Sequence, residues 1–320
     1  MAPQNLLLFG ATGQIGSFIL DAILSARAHF GRIVVFTSAR TAETKASLLD
    51  QLKQQHVEIV VGDVEDESAV KAAYEGIDTV ISALGRNALA QQIPLIRLAA
   101  ASPSVKLFLP SEYGTDIAYG PASAHEKPHQ QKLKVRAVLE QEISRADLEY
   151  SYVVTGPFAE MYLHLVPGLE EAGGWDVKGH KSVLLGDQGT ERVSLTTMKD
   201  VGTFVLYTLL HAPREARNRP LCVNSFTTSP AEIQAEFERQ TTGKPWVSVS
   251  RTSLPRLREL ETAAWEAGNG AATVLTLRRI WTEGGTLYEQ RANGLIGKPK
   301  TATLEEVVAS EIRRVASASL

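Results

Sequence analysis

The chain has 320 residues, enough for one large domain or two modest ones, and its 44% hydrophobic content supplies an ample core. The formal charge of −3 is spread without a basic run, which argues against a nucleic-acid-binding protein or one drawn to an anionic membrane. No apolar segment approaches the roughly 20 residues that span a bilayer, and the opening MAPQNLLLFG lacks a basic leader and a cleavage site. We therefore expect a cytoplasmic monomer or homodimer whose partner is a small molecule.

The first half of the chain alternates short apolar strands with amphipathic helices. The predicted strands are LLLFG, IVVFTS, VEIVVGD, DTVISALG and VKLFLPS, with helical patterns near residues 14–28, 42–55, 66–75 and 88–101. A sixth unit has a helix from about Pro128 to Arg145, followed by the strand YSYVVTG. Strands that alternate with helices of this length imply right-handed crossovers and a parallel sheet covered on both faces. The pattern predicts an α/β fold with a doubly wound parallel sheet, the Rossmann architecture.

After Gly156 the alternation fades, and glycine breaks such as EEAGGW and AGNGAA separate scattered helices. The segment SLTTMKDVGTFVLYTLLHA (194–212) returns to a strand and a helix. We therefore assign residues 1–156 to the Rossmann domain, with a returning segment near 190–226. Residues 157–189 and 227–320 are expected to form mainly a second, smaller substrate-binding domain, closed by a helix in TLEEVVASEIRRV. The single cysteine, Cys222, lies in the apolar run LCVNSF and is expected to be a buried, inert thiol.

The stretch FGATGQIG (9–16) falls where the first strand turns into the first helix. Gly10 permits a tight turn, Gly13 lets the backbone approach a pyrophosphate, and Gly16 allows close packing of helix and sheet. The helix N-terminus then faces the phosphates. The spacing is GxxGxxG, and a turn without a ligand is the alternative. The expected cofactor contacts in this stretch are Gly10, Thr12, Gly13, Gln14, Ile15 and Gly16.

The end of the second strand, IVVFTSARTAETK, indicates which dinucleotide is bound. An NAD site normally places Asp or Glu there to accept from the ribose 2′-hydroxyl, whereas this chain has Ser38 and Arg40, followed by Lys45. A guanidinium suits a 2′-phosphate, so the sequence favours NADP(H), that is NADPH or NADP+. Arg40 and Lys45 could instead be solvated surface charges. Asp63 could reach the adenine side or cap a loop.

Two lysines lie in HQQKLKVR (129–136), directly after Pro128. A proline in the first turn is compatible with a helix that begins there. The helical repeat predicts an inward apolar stripe of Val135, Leu139 and Ile143. Lys132 falls within that stripe, whereas Lys134 points about 160° away, into solvent. Lys132 is therefore the unusual lysine, and its alternative is a side chain that extends along the domain edge to reach solvent.

Ordinary short-chain dehydrogenases carry YxxxK on this helix, with the tyrosine as proton donor, but here Pro128 stands four residues before Lys132. If the protein is an oxidoreductase, Lys132 is the candidate general acid or base. Desolvation beside an oxidised nicotinamide would lower the pKa of its amine toward the working pH. His125 and His129 are rival candidates on the same segment, each with a surface position as the alternative.

These stretches together resemble the NmrA-like branch of atypical short-chain dehydrogenases, and within it the isoflavone reductase, pinoresinol-lariciresinol reductase and phenylcoumaran benzylic ether reductase group. The resemblance rests on GATGQIG, VISALG (80–85), PSEYGTD (110–116) and KLKVRAVLE (132–140), within residues 4–165. It implies NADPH dependence and a catalytic lysine four residues before an arginine, here Lys132 and Arg136. It also implies that Ser111, Glu112, Tyr113 and Gly114 lie beside the nicotinamide. The other expected cofactor contacts are Ala83, Leu84, Lys132, Pro157 and Phe158.

The loops GPFAEMYLHLVPG and LEEAGGWDVKGH, expected on the substrate side, share little with the plant enzymes. An apolar pocket built from Phe158, Met161, Tyr162, His164 and Trp175 is the prediction, with plain core as the alternative for such residues. Tyr113 and His129 are also expected to contact substrate. No metal site is expected.

Three functions remain open on the sequence. The leading hypothesis is an NADPH-dependent reductase of a bulky, largely apolar, aromatic or heterocyclic secondary metabolite, with Lys132 as general acid or base. The second is an isomerase or cyclase that uses the same bound NADP(H) without net redox change. The third is an NADP-sensing regulator of the NmrA type that performs no turnover.

Overall fold

The secondary structure is taken from a computed structural model that describes residues 4–143, 148–288 and 290–317. The strands of these residues are β1 Gln4–Phe9, β2 Phe30–Thr37, β3 Glu58–Val61, β4 Thr79–Ser82, β5 Leu107–Leu109, β6 Glu149–Tyr150, β7 Tyr152–Val154, β8 Gly174–Asp176, β9 Lys181–Leu185, β10 Val193–Leu195, β11 Pro220–Cys222, β12 Phe226–Thr228 and β13 Ser248–Thr252. Their α-helices are α1 Gln14–Ser25, α2 Ala39–Thr44, α3 Ala46–Gln54, α4 Glu67–Ala73, α5 Gln92–Ala101, α6 Gln130–Ala137, α7 Ala159–Leu163, α8 Met198–His211, α9 Pro230–Thr241, α10 Leu254–Glu266, α11 Ala272–Thr282 and α12 Leu304–Ser317. Short 3₁₀ segments lie at Arg27–His29, Arg86–Gln91, Pro121–His125, Lys127–His129, Glu170–Ala172 and Arg214–Ala216, and a π-helical turn lies at Val138–Glu142.

The central sheet has six parallel strands in the order β3-β2-β1-β4-β5-β6. The order reverses direction between β1 and β4, as a doubly wound sheet requires, which confirms the predicted fold class. Successive residues of β1 point to opposite faces, and both faces are buried. Leu6 and Leu8 pack in one hydrophobic cluster, whereas Leu7 and Phe9 pack in a second. Burial on both sides explains why this strand is continuously apolar in the sequence.

The predicted strand YSYVVTG is divided in the structure. β6 pairs with β5, and after Ser151 the chain continues as β7, which pairs in parallel with β11. The amide of Ser151 donates to the carbonyl of Phe108 at 3.3 Å, so the backbone stays beside β5 across the division. The segment near 190–226 thus returns to the edge of the central sheet through β11.

The predicted helix from Pro128 to Arg145 begins as the 3₁₀ turn Lys127–His129, continues as α6, and ends in the π-helical turn Val138–Glu142. Proline lacks an amide hydrogen and its ring crowds the preceding turn, so Pro128 is compatible only with the start of the helix. Arg145 lies outside the described residues. The helix predicted over 42–55 is also interrupted, because α2 and α3 meet at Lys45.

The returning segment also covers the first helix. α8 packs closely against α1, and Val201, Phe204 and Val205 share a hydrophobic cluster with Ile19 and Ile23 of α1. Gly202 makes this approach possible, because a β-carbon at that position would lie 2.1 Å from the carbonyl oxygen of Phe18. The later chain forms its own cluster around Trp175 and Phe237. The domain boundary at residue 156 stays a prediction.

The closing helix predicted in TLEEVVASEIRRV is present as α12, which packs on α9. Within residues 4–143, 148–288 and 290–317, none of the helices combines the length and the apolar character that crossing a bilayer demands.

Candidate functional site

The glycine turn between β1 and α1 needs glycine at two positions for different reasons. Gly10 has φ +72°, a left-handed conformation that other residues rarely adopt. At Gly16 a β-carbon would lie 2.0 Å from the carbonyl oxygen of Gly10, so a side chain there would push the helix away from the turn. Gly13 precedes α1 without a side-chain cap, and both Gly13 and Gln14 are exposed. The first amides of α1 are therefore open to an anionic group.

Two cations follow the end of β2, and one of them contacts this turn. Ser38 caps α2 by accepting from the Thr41 amide at 3.2 Å, and Arg40 is exposed in the first turn of that helix. The Lys45 amine donates to the carbonyl of Thr12 at 2.5 Å, which ties the end of α2 to the glycine turn. Asp63 caps its own loop, because its carboxylate accepts from the Glu65 amide at 3.0 Å.

A cavity of about 380 Å³ lies where the glycine turn, the segment after β4 and the start of α6 meet. Its lining includes the predicted cofactor contacts Gly13, Gln14, Ile15, Ala83, Leu84, Ser111, Tyr113, Lys132, Pro157 and Phe158. The predicted contacts Gly10, Thr12, Gly16, Ser38, Arg40 and Lys45 lie along the turn and the end of β2, outside this lining. Residues far apart in the sequence thus meet at one opening, and their contacts with the cofactor stay predictions.

Lys132 faces this cavity and Lys134 does not. The side chain of Lys132 is 16% exposed, and its amine donates to the backbone carbonyl of Glu112 at 2.9 Å. Lys134, two residues later on α6, is exposed. The stripe predicted to face inward, Val135, Leu139 and Ile143, is buried. Burial lowers the pKa of the Lys132 amine, and the negative charge of Glu112 opposes part of that effect.

The carboxylate of Glu112 is already engaged by Arg136. The guanidinium donates to both carboxylate oxygens, at 3.0 and 3.1 Å, and both side chains are buried. Arg136 also lies 3.6 Å from Asp116 and 4.5 Å from the ring centre of Tyr152. Burial alone would lower the pKa of Arg136, but Glu112 raises it above its ordinary value. Lys132 lies 3.9 Å from the same carboxylate, too far for a good hydrogen bond.

Tyr113 and His129 line the cavity, and both are buried. Burial raises the pKa of the Tyr113 hydroxyl, so this phenol stays protonated at neutral pH. His125 is exposed and does not belong to the lining. The two histidines of this segment are therefore in different environments.

The structure places only some of the predicted substrate contacts at the cavity. Met161 is half exposed and lines the cavity, as Phe158 does. Tyr162, His164 and Trp175 do not belong to its lining. Tyr162 and Trp175 are buried in the hydrophobic cluster of the later chain, which is the plain-core alternative stated for such residues. His164 lies 3.4 Å from Glu311. Their substrate role stays a prediction that this geometry does not favour.

Gly114, expected beside the nicotinamide, also lines the cavity. Other lining residues were not singled out as contacts in the sequence, and they are Gly85, Arg86, Leu89, Thr115, Ile117, Pro128, Gly156, Leu277 and Trp281. Arg86 follows VISALG directly, so its nearness to that motif was the available clue. Leu277 and Trp281 come from α11, which belongs to a part of the chain without motifs. The indole of Trp281 donates to the hydroxyl of Thr115 at 2.7 Å, which fixes α11 against the segment after β5.

Cys222 lies outside the cavity lining, at the end of β11. Burial raises the pKa of its thiol to about 12, with the charge of Asp116 acting in the same direction. The thiol is therefore protonated and unreactive at neutral pH, as expected for a structural cysteine.

Comparison with known proteins places this arrangement in a family. A model described as the NmrA-like family matches residues 3–276. An isoflavone reductase homolog from Solanum tuberosum is 35% identical over 212 residues, which is 64% of this chain and 65% of that protein. The phenylcoumaran benzylic ether reductase IRL1 from Ginkgo biloba is 28% identical over 299 residues, 93% of this chain and 94% of that protein.

Among solved structures, the binary complex of leucoanthocyanidin reductase and NADPH from Vitis vinifera has a TM-score of 0.75 and 20% identity, and covers 97% of this chain and 99% of that chain. At that identity the likeness establishes the fold. The chain spans 65% of the length of the Solanum relative, less than two thirds, so activity and substrate do not follow from that match alone. The family model, however, covers residues 3–276 of the 320, and the protein is a member of the NmrA-like family.

Proposed function

We propose that the protein is an NADPH-dependent reductase of a bulky, largely apolar, aromatic or heterocyclic secondary metabolite. The observation that carries the proposal is the position of the Lys132 amine. It lines a cavity shared with the glycine turn, and it is held by a backbone carbonyl instead of being neutralised by a close carboxylate. A partly desolvated amine in such a place is suited to proton transfer.

The residues present fit NADPH. The glycine turn leaves no room for a side chain at Gly16, and the exposed amides at the start of α1 suit a pyrophosphate. The end of β2 offers Ser38 and Arg40 in place of a carboxylate, with Lys45 close to Thr12. These cations suit a 2′-phosphate. The leucoanthocyanidin reductase with a similar fold is a complex with NADPH, which supports the same cofactor here.

Bound NADPH would supply a hydride, and the chain's own residues would handle the proton. Lys132 would donate a proton to the substrate or remove one from it, because burial lowers the pKa of its amine toward the working range. The carbonyl of Glu112 orients that amine, and Arg136 keeps the Glu112 carboxylate from capturing it. Lys132 would thus fill the role that a tyrosine fills in ordinary short-chain dehydrogenases.

The walls of the cavity support an apolar substrate. Ile117, Phe158, Met161, Leu277 and Trp281 line it, and none of these side chains carries a charge. They come from the segment after β5 and from the later chain, so residues 157–189 and 227–320 would act mainly as the substrate-binding part. The named activities of the Solanum and Ginkgo relatives, isoflavone reductase homolog and phenylcoumaran benzylic ether reductase, support an aromatic substrate class.

The test is NADPH oxidation in the presence of a panel of aromatic enones, with Lys132→Ala compared with Lys134→Ala. Loss of general acid catalysis should lower turnover by about a hundredfold or more in Lys132→Ala, and NADPH should still bind. Lys134→Ala, changed at the exposed lysine of the same helix, should keep wild-type turnover. Undiminished turnover in Lys132→Ala would remove the assigned role.

Deuterated NADPH separates net reduction from a redox-neutral isomerisation or cyclisation at the same site. A reductase transfers one deuterium, as deuteride, into each product molecule and leaves one equivalent of oxidised cofactor. A product that forms without consumption of NADPH would instead establish the redox-neutral reaction.

A further inference from the structure

His129 occupies a distinct place in the cavity. It is the last residue of the 3₁₀ turn Lys127–His129, directly before α6, and only 2% of it is exposed. It precedes Lys132 by three residues, a spacing that puts two side chains on the same face of a helix. Both residues line the cavity. Whatever meets the Lys132 amine there also lies close to the His129 ring.

The contacts of the ring fix its protonation. Nδ1 lies 3.1 Å from the carbonyl oxygen of Ser123, and because a carbonyl can only accept, Nδ1 must carry the hydrogen and donate. Burial lowers the pKa of His129 by more than the hydrogen bond to Ser123 and the charge of Glu126 raise it, so the ring is neutral at physiological pH. Tyr119 packs edge-to-face on the ring, with centres 6.0 Å apart, and holds its orientation. Nε2 is left with a lone pair and is an acceptor.

That acceptor lacks a partner. Across the part of the chain that the structure describes, Nε2 of His129 is withdrawn from solvent and meets no hydrogen-bond donor. A buried acceptor without a donor is destabilising, because it has lost its hydrogen bond to water without gaining another. The other contacts of the ring are the hydrogen bond from Nδ1 to Ser123 and the packing against Tyr119. His129 lines the cavity, so a molecule that enters beside Lys132 is the candidate source of that donor.

We propose that His129 is a hydroxyl-binding subsite that selects aromatic or heterocyclic substrates carrying a free hydroxyl or N–H near the reacting carbon. The inference rests on the proposed function for the identity of that occupant, and on the geometry of His129 for the donor requirement. A methyl ether or an ionised carboxylate offers no donor to Nε2. Such compounds are disfavoured even where their shape fits.

The experiment compares the affinity for 2-naphthol with that for 2-methylnaphthalene, which has nearly the same shape but no hydroxyl. Dissociation constants are measured by calorimetry for the wild type, His129→Phe and His129→Gln, each with and without NADP+. A hydrogen bond of about 1 kcal/mol corresponds to about a fivefold ratio. The ratio of the two affinities should therefore fall about fivefold in His129→Phe. His129→Gln, which keeps an acceptor, should retain much of the preference.

His125→Phe is the matched control, because His125 lies on the same segment but is exposed and outside the lining. It should keep the wild-type ratio. As a measurement that needs no variant, the ¹⁵N resonance of His129 Nε2 should shift on addition of 2-naphthol and not of 2-methylnaphthalene.

The subsite is refuted if the affinity ratio is equal in the wild type and His129→Phe, if neither compound binds, or if the Nε2 resonance does not respond to 2-naphthol. An ordered water that permanently satisfies Nε2 would give this result. The outcome is separable from the proposed function. A protein that prefers 2-naphthol through His129 but neither binds nor oxidises NADPH would keep the subsite and lose the reductase.

Discussion

The amine of Lys132 donates to the backbone carbonyl of Glu112 at 2.9 Å, while the carboxylate of the same glutamate is held at two points by Arg136. Glu112 thus positions Lys132 through its main chain and acts on it electrostatically through its side chain. The arrangement keeps the amine in place without a close, hydrogen-bonded ion pair, which would raise its pKa more strongly.

Glu112→Gln should lower the pKa of Lys132 further, because the charge of Glu112 is the main influence that raises it. If Lys132 acts as a general acid, activity falls as pH rises through its pKa. The alkaline limb of the kcat/KM profile should therefore move to lower pH in the variant. A limb that stays in place would show that another group controls it.

The same change leaves Arg136 buried without its main counter-ion. We expect a loss of about 3 kcal/mol in the free energy of unfolding, measured by urea denaturation. In the double variant Glu112→Gln/Arg136→Met the unpaired charge is gone, so stability should recover in part.

Arg40→Ala should weaken binding of NADPH by about ten- to a hundredfold, since a charged hydrogen bond to phosphate contributes about 1.5–3 kcal/mol. Binding of NADH, which has no 2′-phosphate, should hardly change. Lys45→Ala should affect both cofactors, because Lys45 also holds the glycine turn through Thr12. Lys53→Ala, an exposed lysine paired with Asp50, is the control. Equal losses for NADPH and NADH in Arg40→Ala would contradict a phosphate contact.

Gly16→Ala should impair the glycine turn, because its β-carbon would lie 2.0 Å from the carbonyl oxygen of Gly10. We expect a loss of about 1–3 kcal/mol in stability and a marked loss of NADPH affinity, measured by denaturation and by calorimetry. Gly120→Ala is the matched control, since no other group lies within 4 Å of a β-carbon there. If the Gly16→Ala protein is as stable as the wild type and binds NADPH as tightly, the close packing of Gly16 against Gly10 is contradicted.

Part of the free energy of unfolding should depend on the protonation state of Glu311. Burial alone would raise its pKa, but the hydrogen bonds from Arg314 and the nearby imidazole of His164 lower it to about 2. The folded pKa lies below the ordinary value of 4.5, so the contribution is present above pH 4.5 and is lost as pH falls toward 2. Its size is about 3 kcal/mol. In Glu311→Gln the free energy of unfolding, measured by urea denaturation, should depend less on pH over this range. In Glu266→Gln, changed at an exposed residue, the pH dependence should match the wild type.

The fold was largely predictable because its strands are apolar on both faces and its helices alternate with them at regular intervals. LLLFG and IVVFTS became β1 and β2 in neighbouring register. The interruptions were harder to predict. One is the break at Lys45 between α2 and α3, and the other is the π-helical turn after α6. Neither changes the apolar periodicity of the sequence much. Such local changes of hydrogen bonding depend on tertiary packing.

The residues of the candidate site were also predictable only in part. Lys132 was found because a charge on an inward helical face is rare, and the structure places it at the cavity. Tyr162 and Trp175 were predicted as substrate contacts because they are aromatic, but both lie in a hydrophobic core cluster. Aromatic side chains occur in cores as well as in pockets. Leu277 and Trp281 were missed because only the folding of α11 over the segment after β5 brings them to the opening.

The close approach of α8 to α1 at Gly202 has a consequence for synthesis. The outer surface of α1, the helix that begins at the glycine turn, is covered by residues made much later in translation. Until those residues are made, the side of α1 that carries Phe18 and Ala22 lacks the helix that covers it, so the first half of the chain cannot complete its packing before α8 is translated.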